Sequence, residues 1–398
     1  VSETIVTPAF VVDEPALRRQ VESFTDAMAD VWPGGIVSYS VKTNSLPWVV
    51  AWMEPAGVWA EVVSDDEYEL ATALGHTPER IVFNGPVKSR AALARAIDGG
   101  SLINLDSQRE LRWATELAAE RPAGSVKVGV RVNWNVDAEC PGATASGPDG
   151  LRFGFHVEGG DLTEALQYLA AGGVEVVGLH LHVTSLSRGI DVYRSAARTA
   201  VGVIRDHALR LDYLDIGGGF FGGDNPDFPT PTQYLTAIRD VLVDAVDPAV
   251  TRLIIEPGAA LIAVPVDFHT SVIDAKQVQD HVIVVTDGSR TNLDTFFRKT
   301  GYAHDLITAG EPTATPQVIS GFTCLDNDRL MTLVDAPRLR EGDQVIYLRV
   351  GSYTMAFNPL FINYLPAVYA RRDDGRLQLV RRRWTAADYL AGNDWSLS

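Results

Sequence analysis

The chain has 398 residues, 46% of them hydrophobic and 21% charged, with a formal net charge of −17. That length fits about two domains, the composition is that of ordinary globular proteins, and the negative charge argues against nucleic acid or an anionic membrane as a general partner. No apolar run reaches the roughly 20 residues that span a bilayer, and the opening VSETIVTPAFVVDEP lacks the basic-then-apolar order of a signal peptide. The two cysteines, Cys140 and Cys324, have no metal-type spacing. We expect a reducing cytoplasm, with each thiol by default a small buried hydrophobe.

TPAFVVD reads as an opening strand. From about residue 30 to 265 short β-branched runs follow (GIVSYSVK, RIVFNG, SLINLDS, VKVGVRVN, VEVVGLHLHV, LDYLDIGGG, RLIIEPG), alternating with helical patterns such as SRAALARAIDGG and DLTEALQYLAAGG. In the last of these Asp161 is expected as the cap, Glu164 at the capping-box position and Gly172 as the stop. Such alternation predicts a parallel sheet, best a (β/α)8 barrel and second a doubly wound sheet. After residue 265, VDFHTSVIDAKQ, DHVIVVTDGS, DQVIYLRVGSY, AVYARRDDG and RLQLVRRRW read as strands without long helices between most of them. The expected domains are therefore a 30–265 barrel and a β-rich domain of 1–29 plus 266–398, the latter a β-barrel or sandwich. The Gly- and Pro-rich stretches 137–151 and 222–232 read as loops near the active face.

Several residues can carry chemistry. Strand alternation puts Ser38, Ser40 and Lys42 on one face. Lys42 is a strand-end charge or, at the C-terminal end of a barrel strand, a Schiff-base lysine. His180 and His182 share a face of GLHLHVTS, as a structural pair, a metal half-site or a flat ring to stack on a cofactor. Gly217, Gly218 and Gly219 end a strand with bare amides that suit a phosphate, though not the dinucleotide fingerprint. Glu256 ends the apolar run RLIIE and needs a cationic partner. Cys324 stands near Asp326 and Asp328, and Tyr353 lies in the turn-like VGSYTMAF. Lysine, stacking ring, phosphate cup and acid are together the contacts that pyridoxal 5′-phosphate requires.

In this order the motifs resemble the fold-type III pyridoxal-phosphate decarboxylases, the family of diaminopimelate and ornithine decarboxylases with a relative in alanine racemase. SYSVKTN, EVVSDDEYEL, FNGPVKS, VRVNWNVDA, LRFGF, GLHLHVTS, LDIGGGF, IIEPG, the Cys324 loop and VGSYT follow in family order. The resemblance implies that Lys42 holds the cofactor as a Schiff base, His182 stacks on its ring and Glu256 pairs with the ring nitrogen. Ser185, Gly217, Gly218, Gly219 and Tyr353 would meet the phosphate, with Glu61, Arg131 and Gly258 lining the same site. Cys324 would return a proton to Cα from the other subunit of a head-to-tail homodimer.

The sequence departs from the family at three points: Ala259 where EPGR is usual, Leu325 where an acid reads the substrate's distal amine, and Thr184 in HVTS. Asp326 and Asp328 are then the nearest substrate-side acids. We expect an amino-acid decarboxylase for a nonstandard α-amino acid, free or presented by an acyl carrier protein. The rivals are a racemase or epimerase on the same fold, a noncatalytic homologue acting through a protein partner, and a metal-dependent hydrolase using His180 and His182.

Overall fold

The computed structural model describes residues 5–144 and 150–396. Of the expected loop 137–151, positions 145–149 lie outside the described residues. The chain separates into two compact units, Val1–Arg19 with Ile262–Ser398, and Gln20–Leu261.

Strand β1 (Ala9–Asp13) and helix α1 (Glu14–Val31) open the chain. Then come β2 (Ile36–Ser40), β3 (Trp59–Val62), β4 (Ile81–Phe83), β5 (Leu102–Leu105), β6 (Lys127–Asn133), the short β7 (Phe155–His156), β8 (Glu175–His180), β9 (Tyr213–Asp215) and β10 (Arg252–Ile255). Setting aside β7, eight of these run parallel in the order β5-β4-β3-β2-β10-β9-β8-β6, and β5 pairs back to β6. The sheet thus closes on itself, and the expected (β/α)8 barrel is what forms. All five residues of β2 are buried, as a parallel strand covered on both faces requires.

Four of the connecting helices start where short polar side chains cap free amides. Ser64, Ser89, Ser107 and Thr230 each accept a backbone N–H of the first helical turn. One expected cap differs. The helix Asp161–Ala171 is preceded by Gly160 at φ 88, which takes the cap position. Asp161 therefore moves into the first turn, where its charge meets the positive helix end; Gly172 does end the helix. A buried ion pair at 3.3 Å joins Lys88, in the segment after β4, to Glu110 in the helix Gln108–Ala119, and Lys88 also donates to the carbonyls of Gly85 and Asn104.

The other unit is a nine-stranded mixed sheet. Its strands include β11 (Val266–Val278), β12 (His281–Thr286), β13 (His304–Ile307), β15 (Gln317–Ser320), β16 (Arg329–Leu333), β18 (Gln344–Tyr347), β19 (Ala367–Arg371) and β20 (Leu377–Arg381), with a separate pair β14 (Pro312–Thr313) and β17 (Ala336–Pro337). The opening strand β1 joins this sheet as expected, antiparallel to β11 and parallel to β19. No described helix is long and apolar enough to cross a membrane.

Candidate active site

The chemistry-bearing residues of the barrel gather at the C-terminal ends of its strands. Alternation placed Lys42 on strand β2. The strand stops at Ser40, and Lys42 rides a single 3-10 turn, Val41–Thr43, just beyond it. Its Nζ donates to Glu61 Oε2 at 2.8 Å and to Ser40 Oγ at 2.7 Å. Ser40 Oγ donates to the same Glu61 oxygen at 2.5 Å. The ammonium therefore has a buried carboxylate partner, supplied by the neighbouring strand β3.

Glu61 connects onward. Asn84 Nδ2 donates to Glu61 Oε1 at 3.2 Å and also to Glu256 Oε1. The orientation of that amide is set by Asn104, whose Nδ2 donates to Asn84 Oδ1 at 2.8 Å and whose Oδ1 accepts from Tyr213 at 3.0 Å. Lys42, Glu61, Asn84 and Glu256 thus form one hydrogen-bonded chain across the barrel mouth.

Glu256 is 3% exposed. Burial opposes its charge, but His180, a hydrogen bond with Asp215 and Lys42 together outweigh it and hold the carboxyl well below the usual carboxylate range. Asp215 goes the other way: burial first, then the charge of Glu256, push it well above its ordinary value. The two carboxyls are therefore driven apart, Asp215 toward holding a proton and Glu256 toward staying charged, as close acids removed from water must be. His180 Nε2 lies 3.7 Å from Glu256 Oε1, and neither of its ring nitrogens has a hydrogen-bond partner among the described residues.

The rings of His180 and His182 are parallel within 2°, with centroids 6.3 Å apart. Burial and the facing Arg131 push His182 down to about 3, so its ring is neutral. The two histidines take different partners. His180 joins Asp215 and Glu256, whose donor atoms lie within 4.8 Å of one another. His182 Nδ1 instead faces the Gly218 amide at 3.3 Å.

The glycine turn is bare for steric reasons. A Cβ on Gly217 would lie 2.5 Å from His182 Cβ, and one on Gly218 would lie 2.3 Å from the Glu256 carbonyl. Gly217 N–H donates to Asp215 Oδ1 at 2.9 Å. The first two amides are thus engaged within the protein, while Gly219, exposed, has no acceptor among the described residues. Gly258 makes room for Thr43, whose Oγ1 would lie 2.1 Å from an added Cβ. Arg131 donates to Asp106 at 3.1 Å and to the His182 carbonyl at 3.2 Å, and stacks over Phe153. Ser185 Oγ accepts the Arg188 amide at 2.8 Å.

Lys42, Glu61, Arg131, Phe153, His182 and Glu256 line a cavity of about 230 Å³. Its walls fit a phosphorylated pyridine. A flat neutral imidazole faces it, a buried carboxylate is kept anionic and a lysine reaches in; the glycine turn does not line the cavity but meets one of its walls at His182, and keeps one amide unspent. Asn84, Asn104, Asp106 and Asp215 were not singled out from sequence. Asn84, Asp106 and Asp215 stand at or just beyond the end of a barrel strand, where a polar residue closing an apolar run is the signal that marks them, and Asn104 is one residue short of the end of β5.

The remaining expected residues belong to the β unit. Neither cysteine is buried: Cys324 is exposed and Cys140 intermediate. The buried default fails because Cys324 sits in a tight surface loop. Asp328 builds that loop. It is 2% exposed and takes hydrogen bonds from Ser289 Oγ, Arg290 N, Thr323 N and Thr323 Oγ1. Leu325 is 40% exposed, and Asp326 is exposed too. Tyr353 is half-exposed at φ 56, stacked on Phe357.

Residues 16–263 match the family model for the pyridoxal binding domain of pyridoxal-dependent decarboxylases. A diaminopimelate decarboxylase of Actinosynnema pretiosum subsp. auranticum is 31% identical over 96% of this chain and 88% of its own. A probable chloroplastic diaminopimelate decarboxylase of Oryza sativa subsp. japonica is 28% identical over 96% of this chain and 79% of its own. Among solved structures, diaminopimelate decarboxylase from M. jannaschi superposes with a TM-score of 0.84 at 23% identity, covering 98% of this chain and 93% of that one. Taken with the barrel, these matches mean that the chain belongs to the pyridoxal-dependent amino-acid decarboxylases.

Proposed function

We propose that this enzyme decarboxylates a nonstandard α-amino acid, free or tethered to an acyl carrier protein, and that Lys42 and Cys324 are its catalytic residues. The observation that carries the barrel half is the chain Lys42–Glu61–Asn84–Glu256 at the strand ends. Pyridoxal phosphate, when bound, supplies an electron sink for the bond broken at Cα. Lys42 Nζ would hold the cofactor's aldehyde carbon, with Glu61 keeping the amine in place. His182, neutral and flat, would lie against the ring. Glu256, kept anionic, would hold a proton on the ring nitrogen, which makes decarboxylation the better reading than racemisation. Arg131 and Gly258 would shape the pocket, while Ser185, the Gly217–Gly219 turn and Tyr353 would receive the phosphate.

Cys324 Sγ–H would return a proton to Cα once carbon dioxide has left. Its exposure supports delivery from outside its own loop, which suits a head-to-tail homodimer with shared sites. A reducing, cytoplasmic compartment suits two free thiols. The substrate proposal rests on Leu325, exposed and uncharged where the resemblance expects an acid. Asp328 is committed to its own loop, so Asp326 is the acid left to meet a substrate. The test is carbon dioxide release from a panel of free and carrier-linked amino acids, with Lys42→Ala as the blank. We expect a nonstandard amino acid to lead. Release from diaminopimelate as fast as from any other member would overturn the substrate proposal.

A further inference from the structure

We propose that Arg188 is a cofactor-binding residue that supplies the positive charge for the phosphate at the Gly217–Gly219 turn. The inference rests on the reading that this turn takes the phosphate. Two loops meet there and are joined at two points. His182 Nδ1 accepts the Gly218 amide at 3.3 Å, and Arg188 Nη1 approaches the Phe220 carbonyl at 3.5 Å. The segment between, with the hydroxyls of Ser185 and Ser187 3.5 Å apart, is therefore held across from the glycine turn.

Arg188 is fixed there by its backbone. Its φ is 49, a left-handed conformation that residues with a Cβ seldom adopt. Its N–H donates to Ser185 Oγ at 2.8 Å, and its carbonyl accepts from Tyr234 at 2.7 Å. Tyr234 packs on Phe220 and Tyr193, and Tyr193 donates to the Gly218 carbonyl at 3.3 Å. One aromatic cluster therefore anchors both the arginine and the turn. The guanidinium lies over Phe221, 5.2 Å from its centroid, and forms no ion pair among the described residues.

Of the cations that line the cavity, Lys42 is paired with Glu61, Arg131 with Asp106, and Arg152 lies over the Phe153 ring, 4.1 Å from its centroid. The segment after Glu256 also runs past the turn, since a Cβ on Gly222 would lie 2.0 Å from the Ala260 carbonyl, but Ala259 brings no charge. An unspent amide at Gly219, two hydroxyls and an unpaired guanidinium together suit a dianionic phosphate, which backbone donors alone would leave without a counter-charge.

The experiment titrates cofactor-free enzyme with pyridoxal phosphate and, separately, with pyridoxal, which lacks the phosphate, following the absorbance of the bound chromophore. Wild type, Arg188→Ala and Arg188→Lys are compared, with inorganic phosphate as a competitor. We expect Arg188→Ala to weaken pyridoxal phosphate binding about tenfold, the size of one charge-assisted hydrogen bond at a half-exposed site. Pyridoxal binding should stay unchanged, which reports an intact pocket, and Arg188→Lys should recover most of the loss. The proposal is overturned if Arg188→Ala holds pyridoxal phosphate as tightly as wild type, or if both ligands weaken alike. A wild type that binds both ligands equally, indifferent to inorganic phosphate, would instead remove the phosphate reading of the turn itself.

Discussion

The barrel rim around Lys42 and the loop around Cys324 solve different problems. On the rim most of the charged and amide side chains are paired, Lys42 with Glu61 and Asn84 with two carboxylates, and Asp215 is buried beside Glu256. Removal from water strengthens each of these interactions and makes any unpaired group costly. In the Cys324 loop one buried residue, Asp328, takes four hydrogen bonds from the surrounding backbone and hydroxyls. The side chains at Cys324, Leu325 and Asp326 are left exposed. Fixed electrostatics thus reside in the barrel, and the residues proposed to meet a substrate reside in an exposed loop, the usual division between scaffold and specificity.

Substitutions on the two sides should separate accordingly. Glu256→Gln removes the rim's fixed anion, and we expect kcat to fall by about 10²–10³, the cost of losing a preorganised electrostatic contact. Cofactor binding should persist, as read by the absorbance of the purified enzyme. Cys324→Ser should lower kcat by about 10², a typical general-acid contribution, and leave the cofactor's affinity untouched because the thiol is no part of the rim network. A Cys324→Ser enzyme with unchanged turnover would remove the loop from the chemistry.

Asn84→Ala should cost the least, about tenfold in kcat. Its second signature is directional. Losing a donor to Glu256 makes that carboxylate easier to protonate, so the acid limb of the kcat/KM profile should move to higher pH. A loss of rate with an unmoved acid limb would mean that Asn84 only fills space.

Much of this arrangement was legible before any coordinates. The apolar runs became the parallel strands, because a strand buried on both faces must be apolar throughout, and TPAFVVD did join the C-terminal sheet. Lys42 and Glu256 stood out as charges that burial makes expensive. Asn84 did not stand out, because an asparagine is unremarkable in a sequence. Its importance comes from two carboxylates brought together by strands β3 and β10, far apart in the chain. Asp215 was hidden by the glycines that follow it, and its raised proton affinity comes from burial and then from the charge of Glu256, which only the fold brings near. Gly160 displaced Asp161 as the cap because a left-handed glycine gave the chain a tighter entry to the helix.

The central claim is that Lys42, held by Glu61 at the barrel mouth, is the covalent anchor for the cofactor. It is tested most directly by reducing the pyridoxal phosphate-loaded enzyme with borohydride and mapping the modified peptide by mass spectrometry. The account predicts a single pyridoxyl addition on the peptide containing Lys42, absent from Lys42→Ala. An addition on another lysine, Lys88 included, or no addition to an enzyme that releases carbon dioxide, would contradict it.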